Sequence, residues 1–201
     1  MPQVLNINNE RVSSMKQLIL AIAEDIAKFF YDYADTGAKI AVVALIFYWC
    51  ALFVRKVCLH KGILQARQIA VRSGFLFLLV VYLYILIGIT ILSRSVGENR
   101  YAYFELFRLF RDTIYDRKQV CENILLFMPY AVLLFGVHPI FRRGWLQFMI
   151  ALLSSVAIES AQWLTYTGYF EIDDIWMNVL GMMIGYAGCT VIRLIYKNLR
   201  K

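Results

Sequence analysis

The sequence predicts an all-α integral membrane helical bundle of about five transmembrane helices, with amphipathic interfacial helices in an N-terminal arm and in one loop. Three observations predict it. The 201 residues are 61% hydrophobic and 17% charged, with mean hydropathy +0.61, more apolar surface than one small soluble core can bury. Five runs approach the roughly 20 apolar residues that cross about 30 Å of hydrocarbon. Basic residues crowd into alternate connections between those runs.

Taken in order, the arm (residues 1–37) has neither the basic start nor the unbroken apolar core of a signal peptide. Leu18, Ile19, Ile22, Ile26, Phe29, Phe30 and Tyr33 recur there at helical spacing, opposite Glu24, Asp25, Lys28 and Asp32. That pattern predicts an amphipathic helix on the outer interface. The transmembrane bundle occupies 38–201, with spans at 38–54, 74–92, 120–137, 145–165 and 175–196. Glu122, Asn123 and Pro129 interrupt the third, so four or six spans are the competing counts; Pro is tolerated where neighbours satisfy the freed carbonyl. Between spans two and three, Phe104, Phe107 and Phe110 alternate with arginines and predict an interfacial or re-entrant helix over 101–114.

Charge orients the chain. Segments 55–72, 138–144 and 193–201 carry 5, 2 and 4 Lys/Arg and no acid, whereas all 14 acids lie in the arm or around the other ends of the spans. The basic connections are predicted cytoplasmic, the N-terminus outside and the C-terminus inside a bacterial cell membrane crossed several times. Segment 93–119 is the exception, with Arg94, Arg100, Arg108, Arg111, Arg117 and Lys118. The net +7 suits an anionic inner leaflet; membrane lipids, not nucleic acid, are the expected partners. There is no CxxC, HExxH, P-loop or GxSxG, and the two histidines, His60 and His138, fall on the inner side, which argues against a His-based site. Cys50, Cys58, Cys121 and Cys189 offer no pair on one aqueous side.

The informative residues are polar groups inside spans. Ser155, Glu159, Gln162 and Tyr166 are spaced 4, 3 and 4 and share one helical face. Asp174, Asn178, Gly181, Gly185 and Gly188 form a second stripe, polar at one end and small at the other, predicted to draw span five against span four. Asn123 stands at the same end of span three with Tyr130 deeper on its stripe, and Arg94 follows span two. Glu159 would sit roughly 9 Å below the end of its span, where an acid costs up to about 2.5–3.5 kcal/mol. Gln162 and Asn178 taken singly read as interhelical glue, about 0.6 kcal/mol per bond. The constellation of Arg94, Asn123, Glu159, Gln162, Asp174 and Asn178 reads as an outward-facing binding pocket, with Pro129, Gly181, Gly185 and Gly188 as packing positions.

Three blocks, Asn123-Ile124-Leu125-Leu126-Phe127-Met128-Pro129, Glu159-x-x-Gln162, and Ile172-Asp173-Asp174-x-x-x-Asn178-x-x-Gly181-x-x-x-Gly185, resemble the VanZ-like family of bacterial membrane proteins in order and spacing. The likeness covers 75–196, with residues 1–72 an addition. Asn123, Pro129, Glu159, Gln162, Asp174, Asn178, Gly181 and Gly185 fall on recurring family positions, and Arg94 matches an arginine after the preceding span. Ala131, Glu171 and Met182 depart from the family's usual glycine, aspartate and glycine. The resemblance implies a cell-envelope protein, since the family is named for a protein that raises resistance to the glycopeptide teicoplanin.

Three functions follow as expectations. The first is binding of a lipid-linked cell-wall precursor or a glycopeptide antibiotic at the outer leaflet, contributing to resistance without turnover, with Arg94 on phosphate and the carboxylates and amides on hydroxyl or amine groups. In the second, Glu159 and Asp174 act as a catalytic carboxylate pair on a lipid headgroup or lipid-linked sugar. The third is lipid or proton-coupled transport, against which stands the lack of titratable groups in the inner halves of spans four and five. No cofactor is expected, although the enzymatic reading admits a divalent cation such as Mg²⁺ on oxygens of Asp174, Asn178 and Glu159.

Overall fold

A computed structural model describes residues 2–57, 65–97, 101–105 and 114–200, with side-chain surroundings for these except 2–15, 26, 29, 30, 55, 57 and 114–117. Helix α1 runs Pro2–Val57, α2 Ala66–Ile87, α3 Ile114–Val137, α4 Gly144–Thr165 and α5 Ile172–Asn198. Five spans are long and apolar enough to cross a bilayer: Tyr31–Val54, Ala66–Leu92, Lys118–Val137, Gly144–Thr165 and Ile172–Asn198. Large apolar side chains such as Phe47, Leu153 and Ile192 point outward and stay exposed, as lipid-facing residues do. The chain is a multi-pass membrane protein, and the doubtful third span is present.

The helices pack in the order α1, α2, α3, α5, α4, so α5 lies between α3 and α4. Phe127, Ala131 and Met182 are fully buried within a core that also takes Leu79, Leu86, Ala151, Ile158 and Val179. The small-residue stripe faces α3 rather than α4 as the sequence suggested. A Cβ at Gly181 would stand 2.2 Å from the Ile124 carbonyl oxygen, and one at Gly185 would stand 2.5 Å from that of Met128. Only hydrogen side chains permit that approach. Gly188 meets nothing within 4 Å, so its expected packing role is not realised.

Two further expectations change. The arm and first span are one continuous helix, α1, whose Ile22 is buried. Residues 101–105 are extended instead of helical, and Ala102–Tyr103 pairs in parallel with Phe170–Glu171. We label these strands β1 and β2. The ring cluster of Tyr101, Tyr103 and Tyr169, with centroids 5.7–6.3 Å apart, favours the extended backbone, because alternation puts Tyr101 and Tyr103 on one side of the strand. Phe107, Phe110, Arg100, Arg108, Arg111, Cys58 and His60 lie outside the described residues.

Pro129 interrupts α3 and withholds the N–H that would reach the Leu125 carbonyl; beside it the Tyr82 hydroxyl of α2 donates to the neighbouring Leu126 carbonyl. At the end of α2 the chain widens into a π turn, Gly88–Leu92, where Gly88 lies flat against the Tyr33 ring. π turns often mark functional positions.

Candidate functional site

Construction of the site starts at the first turn of α5. Asp173 and Asp174 occupy that turn and are 3% and 5% exposed; the uncapped N–H groups and dipole of a 27-residue helix favour negative charge there. From α4, Glu159, 2% exposed, accepts the Glu171 backbone N–H through Oε2 at 3.0 Å, just ahead of that helix. From α3, Gln119 donates through Nε2 to Glu171 Oε2 at 3.1 Å and to Asp174 Oδ1 and Oδ2 at 3.0 and 2.9 Å. Three helices therefore fix Glu159, Glu171 and Asp174 around one point.

Charge of the other sign arrives from α3 and from the residues that follow the π turn. Lys118 Nζ lies 2.6 Å from Asp25 Oδ2 of α1 and 3.5 Å from Glu122 Oε1. Arg94 is exposed and its field reaches Glu122, Glu159 and Asp174, yet no described carboxylate closes to ion-pair distance with it. Gly168 makes room for it: a Cβ there would lie 3.0 Å from Arg94 Nη1. The loop carrying Gly168 is set by Tyr166, a left-handed helix end at φ 59°, with Gly97 N–H donating to the Tyr166 carbonyl at 2.6 Å and Thr167 N–H to that of Gln162 at 3.0 Å. Tyr166 thus caps α4 rather than extending the Glu159 stripe.

Two cavities open beside these groups. A polar one of about 290 Å³ is lined by Arg94, Lys118, Gln119, Glu122, Glu171 and Asp174, with Tyr169 over it. A second, of about 370 Å³, is walled by Ile85, Ile89, Leu125, Leu126 and Pro129, with Arg94, Glu122 and Asn123 at its polar end. Arg94 and Glu122 belong to both. An apolar hollow of about 540 Å³ carries on from Tyr82, Ile85 and Pro129 towards Leu78 and Val132.

The six sequence-predicted residues thus separate. Arg94, Asn123 and Asp174 line the cavities; Glu159, Gln162 and Asn178 line neither. Gln162 Nε2 donates to the Thr90 carbonyl in the π turn at 2.8 Å, and Asn178 Nδ2 to Ser155 Oγ at 2.8 Å, so both amides tie helices together. Asn123 Nδ2 is buried beside the Asp174 carboxylate. Among the described residues no three His, Cys, Asp or Glu side chains converge as a metal set; Asn178 gives Nδ2 to Ser155, and its Oδ1 is buried without a hydrogen-bond partner among the described residues. Gln119, Lys118, Glu122 and Asp25 were missed. Gln119 and Asn123, four apart on one face of α3, were the available signal.

The family described as VanZ/LLP1 matches residues 75–193, well over half the chain. The chain belongs to the VanZ/LLP1 family. No curated protein and no solved structure matches it. The VanZ/LLP1 region takes in α2 from residue 75, the π turn, α3, α4 and α5 as far as residue 193, hence every group lining these two cavities except Asp25 and Ile22 of α1.

Proposed function

We propose that this VanZ/LLP1 protein binds an amphiphilic envelope molecule, a lipid-linked cell-wall component or a glycopeptide-type antibiotic, and thereby contributes to antibiotic resistance. The observation that carries the reading is the shared wall: Arg94 and Glu122 border a polar cavity on one side and an apolar slot on the other. A headgroup in the first and a hydrocarbon chain in the second satisfy both linings at once. Arg94, lacking an ion-pair partner among the described residues, takes a phosphate or carboxylate. Gln119, Glu171 and Asp174 take hydroxyl or amine groups. The Lys/Arg distribution supports placing this end outside the cell, where lipid-linked precursors are met.

The enzymatic alternative needs Glu159 and Asp174 to reach one substrate, and Glu159 is turned to the Glu171 N–H behind the cavities, so binding is the better-supported reading. Teicoplanin susceptibility of expressing cells and amphiphile binding by reconstituted protein test it together. Replacing a charge-assisted bond worth ~1.5–3 kcal/mol, Arg94→Gln is expected to weaken binding about 10- to 100-fold and to remove the protein's effect on susceptibility. Unchanged binding and susceptibility in Arg94→Gln, or product formation in time-resolved lipid mass spectrometry, would overturn it.

A further inference from the structure

A different cavity opens at the opposite end of the bundle, where the sequence places 11 Lys/Arg and no acid in the three segments concerned. It measures about 400 Å³ and is lined by Gln65, Arg67, Gln68, Arg72, Pro139 and Arg142 among others. Arg142 is held ready: its Nε donates to the Phe135 carbonyl at 3.3 Å and its guanidinium stands 5.4 Å from the Phe135 ring centroid. The Arg142 carbonyl in turn accepts from the Tyr186 hydroxyl at 3.3 Å. Burial, then the neighbouring Arg193 and Arg72, lower the pKa of Arg142. Burial, then Arg72 and Arg142, likewise hold the His138 imidazole below its usual range. With no acid in those three segments and no ion pair to Arg67, Arg72 or Arg142 among the described residues, the crowded cations leave a site short of negative charge.

We propose that this cavity holds the phosphate of an anionic phospholipid from the leaflet at the basic end. Its position favours lipid over a free anion. The cavity sits at the first turn of α2, where the span emerges, and its lining reaches into two spans through the half-exposed Val71 and through Gly136. The first turn of α2, with no side-chain cap on Gln65, adds partial positive charge. Basic pockets between spans at this level suit phospholipid headgroups. This site is independent of the amphiphile cavity around Arg94.

The test uses the full chain in nanodiscs of phosphatidylcholine with phosphatidylglycerol, one lipid at a time carrying a photoreactive headgroup, and maps the cross-linked peptides. Phosphatidylglycerol is expected to label peptides containing 65–72 and 139–142 in preference to phosphatidylcholine. Labelling should fall about fivefold for each of Arg72→Gln and Arg142→Gln, the ratio matching ~1 kcal/mol per basic group. Arg94→Gln should leave it unchanged. Arg67→Gln, at an exposed position, lowers labelling in the same direction and separates loss of binding from loss of packing. Equal labelling by the two lipids, or labelling indifferent to both Arg67→Gln and Arg142→Gln, overturns the proposal. So does a His138 resonance that shifts with inorganic phosphate but not with phosphatidylglycerol, since the cavity would then take the free anion.

Discussion

Gln119 shows how one uncharged side chain organises this site. Its single amide nitrogen serves Glu171 and Asp174 together, and a buried acceptor left without its donor costs about 1–3 kcal/mol. Gln119→Leu is therefore expected to lower the thermal unfolding midpoint of the reconstituted protein; an unchanged or raised midpoint would show that the bridge carries no weight. The sequence disclosed Glu159 and Asp174, because acids at helical spacing within apolar runs are conspicuous. It hid Gln119, Lys118 and Asp25, which precede or flank spans and read as solvated loop or arm. It also overstated Gln162 and Asn178: a shared helical face says nothing about which neighbour an amide meets, and these two meet Thr90 and Ser155.

Among the elements, α5 does most to shape the bundle. Its glycine stripe was legible as a close-packing face, but the partner was not, since a short α4–α5 connection makes those helices neighbours without making them the tightest pair. Gly181 and Gly185 abut α3, which brings Gln119 and Asn123 alongside the first turn of α5. Gly181→Ala forces a methyl against the Ile124 backbone and is expected to destabilise by about 1–3 kcal/mol. Gly188→Ala, in open space, should leave stability unchanged or raise it by up to about 1 kcal/mol. Equal effects of the two in an unfolding titration would contradict the assigned interface. The π turn was invisible beforehand: no proline marks it, and Gly88 makes sense only once Tyr33 of α1 is seen against it.

For the whole molecule, five antiparallel spans collect acids at one end and arginines and lysines at the other. That asymmetry was readable from the Lys/Arg count alone, whereas the continuity of α1 and the strand pair beside the site depend on contacts between distant segments. If the acidic end is outside, Tyr169→Cys reacts with a membrane-impermeant thiol reagent in intact cells and Arg143→Cys only after permeabilisation; the reverse pattern would place the site in the cytosol. The most direct measurement of the central claim is a cryo-EM map of the protein in native-lipid nanodiscs. The account predicts continuous density with its polar end at Arg94 and Asp174 and its chain along Ile85, Leu126 and Pro129. A well-resolved map in which side chains fill that slot, or in which density lies only on the outer faces of the helices, would contradict it.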